Sequence, residues 1–150
     1  MRGYGGIDMA ISACVHFVRG DEVDEGLEPL VQHLKQREVT IGYMSYGSGS
    51  NDLSAVINEL GQSLALTGAP YSSQRPLLRF IDDLIALSRR ASGLVIVIDN
   101  AGTFLRSDPY GLFDLTEAFL VQFDDWFLAK KPCHLCFQLE PCDLVKKVFT

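Results

Sequence analysis

Two cysteines in a Cys-x-x-Cys spacing, Cys133 and Cys136, are the first residues whose types could support chemistry. Such a pair serves redox catalysis when its first thiol lies at a helix N-terminus, where the helix dipole lowers the thiol pKa. The residues around this pair alternate as in a strand, so the two sulfurs should point to opposite faces. A zinc site needs two further ligands, and no second paired motif supplies them. We therefore predict buried or half-buried thiols with no metal.

A loop of small residues, Gly47–Ser50, lies between a predicted strand and a predicted helix, which is where phosphate-binding loops occur. It lacks the Lys-Ser/Thr ending of a P-loop and does not match Gly-x-Gly-x-x-Gly. Asp99 follows the apolar run Leu94–Ile98 and resembles the Mg²⁺-binding acid at the end of a nucleotidase strand. Without a phosphate loop, we predict that Asp99 supports the turn after it. A small nucleotide- or phosphate-binding enzyme domain that uses Ser48, Ser50 and Asp99 is the alternative function.

Other catalytic patterns are missing from the sequence. There is no nucleophile elbow and no His-Glu-x-x-His motif, and the three histidines fall in predicted helices or strands. The pairs Asp82-Asp83 and Asp124-Asp125 are neighbours on predicted helices. Adjacent side chains on a helix point about 100° apart, so neither pair is an obvious acid/base dyad. We therefore predict that the chain is not an enzyme and carries no cofactor.

A polar and aromatic strip around the second predicted strand and the helix that follows it is the best candidate for binding. Tyrosines with small polar neighbours suit protein recognition. The strip contains Tyr43, Tyr46, Ser48, Ser50, Asn51, Asp52, Asn58 and Glu59. Three further acids are outlying candidates for contact with the same partner: Asp82, Asp83 and Asp108.

The composition limits the class of protein and of partner. A chain of 150 residues fits a single domain, 1–150. The net charge of −6 argues against direct binding of nucleic acid and suits a partner with a basic surface. No apolar run approaches the ~20 residues of a membrane span. Asp8 interrupts the short apolar segment before Cys14, so we predict no export signal, reduced thiols and a cytoplasmic location.

The elements that must position these residues follow from apolar periodicity. Alternating or continuous apolar runs predict four strands, Ser12–Val18, Val39–Tyr46, Leu94–Ile98 and Cys133–Glu140, the last of them at a sheet edge. Apolar stripes at helical spacing predict four helices, with their first apolar positions at Leu27, Leu53, Leu77 and Leu112. Phe104–Tyr110, which contains Asp108-Pro109, is predicted as a loop or short turn. The order β-α-β-α-α-β-α-β predicts an α/β fold, a two- or three-layer sandwich with a mainly parallel sheet of three or four strands packed by about four helices.

Two stretches of the sequence resemble the barstar family of ribonuclease inhibitors. In the first, Leu30–Leu60, an amphipathic helix ends in Lys35-Gln36-Arg37. Tyr46-Gly47 follows, and Asn51-Asp52-Leu53 then opens a second helix. The second, Gly93–Glu140, contains a buried strand, then the Asp108-Pro109 turn, a long helix with Asp125-Trp126, and Lys131-Pro132-Cys133-His134 entering a final strand. Barstar-like proteins are shorter and have a three-stranded sheet, so the strand Val39–Tyr46 and the helix Leu77–Arg90 are additions here.

The resemblance implies a protein inhibitor, of the immunity or antitoxin type, that occludes the active site of a cognate bacterial toxin. The inhibitory helix of the family presents two acids four residues apart. The matching positions here are Ser54 and Asn58, with Asp52 and Glu59 beside them. Tyr46 would anchor the toxin, a basic enzyme such as a nuclease, and the acids would pair with its Arg and Lys side chains. A non-catalytic subunit of a larger complex is a further alternative.

Overall fold

The structure is a computed structural model, and it describes residues 14–18, 39–47, 52–66, 68, 71, 75–123 and 133–140. The predicted helix that begins near Leu27 and the predicted end of the last helix, 124–127, lie outside these residues.

Four parallel strands form one sheet in the order β1-β4-β3-β2. They are β1 (Val15–Val18), β2 (Thr40–Ser45), β3 (Leu94–Asp99) and β4 (Cys133–Gln138). The predicted α/β class with a mainly parallel sheet is confirmed, and so is the second strand. The prediction that the last strand lies at an edge is wrong. β4 pairs with β1 on one side and with β3 on the other. The edge position was predicted from the alternation of apolar and polar residues, which is typical of a half-buried strand.

Four helices are described: α1 (Leu53–Ser63), α2 (Pro76–Arg90), α3 (Ala101–Ser107) and α4 (Pro109–Phe123). The predicted loop over 104–110 is wrong, because α3 occupies most of it and α4 begins at Pro109. Proline is well tolerated in the first turn of a helix, where its missing N–H has no intrahelical partner. The Asp-Pro pair therefore marks the boundary between two helices.

The four described helices cover one face of the sheet. Alternate strand residues point to the same face, and Leu94, Ile96 and Ile98 of β3 share a single core cluster with apolar residues of all four helices. Every residue of β3 is buried, including Val95 and Val97 on the opposite face. β3 thus has the continuous apolar character of a strand that is covered on both faces.

One glycine lets helix α1 approach the sheet closely. A Cβ at Gly42 on β2 would lie 2.7 Å from Cγ of Leu64, the residue that follows α1. Leu64 is itself 8% exposed. The side chain of Leu64 therefore fills the space above Gly42, and this contact fixes the distance between α1 and β2.

Candidate functional site

Asp99 ends β3 at the carboxyl edge of the sheet, where ligands commonly bind in open α/β folds. Its side chain is 6% exposed. The Tyr43 hydroxyl donates to Asp99 Oδ2 at 2.9 Å, and the Asn100 amide donates to Asp99 Oδ1 at 2.8 Å. Both carboxylate oxygens thus accept hydrogen bonds from the chain itself. The prediction that Asp99 supports the following turn is confirmed.

Asn100 extends this network to the next strand. It has φ 57°, a left-handed conformation that Asn tolerates better than most residues, and α3 begins directly after it. Its Nδ2 donates to the Tyr46 carbonyl at 2.8 Å, and the Tyr46 amide donates to the Asp99 carbonyl at 2.9 Å. The carboxyl ends of β2 and β3 are therefore fixed together by side-chain and backbone bonds.

Tyr46 and Tyr43 do not share a surface. Tyr46 is 3% exposed and stacks on Phe104 of α3 with ring centroids 5.0 Å apart. Its hydroxyl oxygen is buried without a hydrogen-bond partner in the described part of the chain. Tyr43, an odd number of positions away along an extended segment, points to the other face and is 43% exposed. The proposed partner anchor, Tyr46, thus lies in the core.

Asp108 lies between α3 and α4 and accepts hydrogen bonds from backbone amides in the first turns of two helices. Its Oδ2 accepts from the Leu53 amide at 3.1 Å, and its Oδ1 accepts from the Gly111 amide at 2.9 Å. Asp52 is the N-cap of α1 and accepts from the Ala55 amide at 3.1 Å. Because the first amides of a helix lack intrahelical partners, these acids stabilise α1 and α4 directly.

Asn58 and Asp83 hold Tyr71 between α1 and α2. Asn58 Oδ1 accepts from the Tyr71 amide at 2.6 Å, and Asp83 Oδ2 accepts from its hydroxyl at 2.6 Å. Burial, and then the hydrogen bond and negative charge of Asp83, raise the pKa of Tyr71. Of the predicted contact residues, Asn58 and Asp83 therefore have structural partners within the chain.

The other predicted contact residues are dispersed. Asp82 is exposed on α2, and Glu59 is half-buried on α1. Ser48, Ser50 and Asn51 lie outside the described residues. The structure therefore does not assemble the predicted strip into a single surface within the described ranges.

An apolar groove between α2 and α4 is the site that the sequence analysis missed. It has a volume of about 280 Å³. Its lining consists of Leu77, Leu78, Ile81, Asp114, Glu117, Ala118, Val121 and Gln122. Leu78 is 52% exposed and Val121 is 70% exposed, so the apolar walls are open to solvent.

Helix α4 extends the apolar surface beyond the groove. At 100° per residue, Tyr110, Asp114, Glu117 and Val121 fall within about 60° of one another, opposite the buried stripe. Tyr110 is 81% exposed, and Phe113 beside this stripe is 63% exposed. We call the exposed surface formed by Leu78, Tyr110, Phe113 and Val121 the α2–α4 surface. The sequence did contain an indication of this surface, because apolar residues lie among the acids on the polar face of the predicted helix.

On the face of the sheet opposite the helices, two histidines meet across β1 and β4. His16 Nε2 lies 2.9 Å from His134 Nδ1. Burial lowers the pKa of His16 from 6.5 to about 4, so the imidazole is neutral at pH 7. Among the described residues, no group of three or more His, Cys, Asp or Glu could hold a metal ion.

The Cys-x-x-Cys pair lies within β4, as predicted. Cys133 belongs to the core cluster under the helices, whereas Cys136, three positions along the strand, points to the opposite face. Both are buried cysteines outside any disulfide, and burial, with a smaller contribution from Cys14, raises the pKa of Cys133. A raised pKa disfavours the reactive thiolate.

No helix in the described ranges has the length and apolar character that crossing a membrane requires.

No protein-family model matches the chain, and no curated protein matches it significantly. Among solved structures, the chain is similar to the ORC2 protein of Aeropyrum pernix, determined as ADPNP–ADP complexes, with a TM-score of 0.54 and 11% sequence identity. The similarity covers 93% of this chain and 42% of that one, so the chain spans less than half the length of the ORC2 protein. At this identity, the likeness extends to the fold alone.

Proposed function

We propose that the chain is a protein-binding domain that performs no catalysis of its own and recognises its partner through the α2–α4 surface. The observation that carries the proposal is the distribution of exposed apolar side chains. Of the seven large apolar side chains exposed in the described residues, four belong to this surface: Leu78, Tyr110, Phe113 and Val121. Apolar side chains gathered on one surface and accompanied by polar residues are typical of a protein interface.

The carboxyl edge of the sheet supports the non-catalytic part of the proposal. Asp99 is buried, and each of its oxygens already accepts a hydrogen bond, one from the Tyr43 hydroxyl and the other from the Asn100 amide. The sequence contains no Gly-Lys pair, so it has no phosphate loop of the Walker type. Phosphoryl transfer needs a cation or amide cradle for the phosphates, in addition to an acid.

Inhibition of a basic toxin enzyme is one form that the binding could take, and it stays a prediction. The net charge of −6 favours encounter with a basic partner. Asp114 and Glu117 bring acids into the groove, next to its apolar walls. A role as a non-catalytic subunit of a larger complex uses the same surface. We propose a cytoplasmic location, which suits cysteines outside any disulfide, such as Cys14, Cys133 and Cys136.

The test is site-specific photo-crosslinking in the cells that naturally produce the chain. A photoreactive phenylalanine analogue at Phe113 should capture one abundant partner, identified by mass spectrometry. The same analogue at Gln62, which is exposed on α1, serves as the control. The proposal fails if the two positions yield the same products, or if Phe113 yields none.

Nucleotide binding is the second candidate function, favoured by the fold likeness to a protein solved in ADPNP–ADP complexes. A thermal unfolding series with ADP and ATP, each with Mg²⁺, tests it, because a bound ligand raises the midpoint as its concentration rises. A midpoint increase that Asp99→Asn removes, accompanied by nucleotide turnover, would replace the non-catalytic proposal with this one.

A further inference from the structure

We propose that the groove between α2 and α4 binds a basic amphipathic helix of the partner protein. This inference rests on the proposed function and names the chemistry of the segment recognised at the same surface. It follows from the shape of the groove, the composition of its walls and the sign of its charges.

The groove is formed by the flanks of two helices that pack together. Leu77, Leu78 and Ile81 form the α2 wall, and Ala118 and Val121 form the apolar part of the α4 wall. Such a groove accepts a third helix, whose apolar side chains at i, i+3, i+4 and i+7 lie between the walls. The α4 lining runs from Asp114 to Gln122, a length of about 13 Å, which is enough for about two turns of a bound helix.

The charges select the sign of that helix. Among the described residues that line the groove, two are acids, Asp114 and Glu117, and none is basic. Both acids are exposed and lie in the same stripe of α4 as Val121. They would therefore lie beside any apolar side chain that the bound helix inserts into the groove. Lysines or arginines beside the apolar stripe of the bound helix would reach these carboxylates. An acidic helix would be repelled.

A second copy of the chain is a poorer occupant. Each copy carries a net charge of −6, so self-association places like charges together, and the acids in the groove add to the repulsion. A basic helix instead gains both apolar contact and charge complementarity.

The experiment uses fluorescence anisotropy with two labelled helical peptides of about 14 residues. Both carry leucines at the i, i+3, i+4 and i+7 positions, one with lysine and the other with glutamate at the remaining positions. We expect the lysine peptide to bind the wild-type chain at least tenfold more tightly than the glutamate peptide.

Matched variants locate the binding. Leu78→Asp and Val121→Asp remove the apolar contact, and the double variant D114K/E117K reverses the charge. The controls change the same residue types outside the groove: Leu105→Asp on α3 and Glu140→Lys after β4. Each groove variant should weaken the lysine peptide tenfold or more, and each control less than threefold. All replaced side chains are exposed, and thermal unfolding confirms that each variant is folded.

Three outcomes would overturn the inference. The first is equal binding of the two peptides, and the second is a control variant that weakens binding as much as a groove variant does. The third is a wild-type dimer, seen by sedimentation, that Val121→Asp dissociates, since a second copy would then occupy the groove. None of these outcomes contradicts the proposed function, because that function is tested separately, by the crosslinking at Phe113.

Discussion

Aspartate side chains hold helix ends and turns together in this chain. Asp108 joins the starts of α1 and α4, Asp99 closes the turn after β3, and Asp83 accepts the Tyr71 hydroxyl. Asp83 and Asp108 were predicted as contact residues because a carboxylate looks the same in a sequence whether it binds a partner or its own backbone. The distinction depends on amides that are distant in sequence, such as the Leu53 amide that bonds Asp108.

Replacing Asp108 should destabilise the fold. Asp108→Ala removes the acceptors of the Leu53 and Gly111 amides, and a lost helix cap costs about 1 kcal/mol. We expect the free energy of unfolding to fall by about 2 kcal/mol in urea denaturation. Asp82→Ala, an exposed acid, is the control and should change it by less than about 0.5 kcal/mol. Equal effects of the two variants would show that Asp108 does not act as a cap.

His16 should make the stability of the chain depend on pH. Its pKa is lowered from 6.5 to about 4 by burial, so between these values the unfolded chain binds a proton that the folded chain does not. The contribution of neutral His16 to the free energy of unfolding is therefore fully present above pH 6.5 and is lost as the pH falls toward 4. The loss amounts to at most about 3 kcal/mol.

The measurement is urea unfolding at a series of pH values, for wild type and His16→Gln. The difference between the two curves isolates His16 from the titration of carboxylates. As the pH decreases from 6.5 to 4, the free energy of unfolding of wild type should fall more than that of His16→Gln. Parallel curves would mean that His16 titrates alike in the folded and unfolded chains.

At the scale of elements, the contact between β2 and α1 depends on the absence of a side chain at Gly42. Gly42→Ala would place a Cβ 2.7 Å from Leu64 Cγ, which is too close without movement of the leucine. We expect a loss of about 1–3 kcal/mol in the free energy of unfolding. Gly47→Ala is the control, since nothing lies within 4 Å of its added Cβ.

A double-variant cycle identifies the cause of that loss. Leu64→Ala removes the side chain that a Cβ at position 42 would meet, so the cost of Gly42→Ala should be smaller in that background. If the two costs simply add, the strain at Gly42 arises from something other than Leu64.

Elements with strong periodicity were predicted well, and those that depend on their surroundings were not. The apolar run of β3 and the stripe Val56, Ile57 and Leu60 of α1 are buried as expected. The short helix α3 was missed, because its seven residues offer too few apolar positions to show a period and end at an Asp-Pro pair that resembles a loop. The groove was missed because it requires knowledge of which helices are neighbours.

For the whole molecule, the sheet should be most resistant to opening at its centre. β3 lies between β2 and β4, and all of its residues are buried. We expect the amides of β3 to exchange hydrogen with solvent most slowly, at a rate close to that set by global unfolding. Hydrogen exchange followed by NMR measures this directly. β1 pairs with β4 alone among the described strands. If the β3 amides exchanged as fast as those of β1, the prediction would be contradicted.

The fold class was predictable from the alternation of strand and helix patterns, but the strand order was not. Alternation favours a parallel sheet with right-handed crossovers, and several orders satisfy that rule. The position of β4 between β1 and β3 is decided by packing that a local pattern does not contain.

That position has a consequence for synthesis on the ribosome. β1 pairs with β4, and the two histidines that meet across this pair are 118 residues apart in the chain. At about 5–20 residues per second, the first strand of the nascent polypeptide waits on the order of ten seconds for its neighbour to be translated. During that interval the apolar Val15 and Val18 lack the strand beside which they are buried in the finished sheet. Chaperones that bind short apolar segments should therefore bind β1 of this chain during that interval.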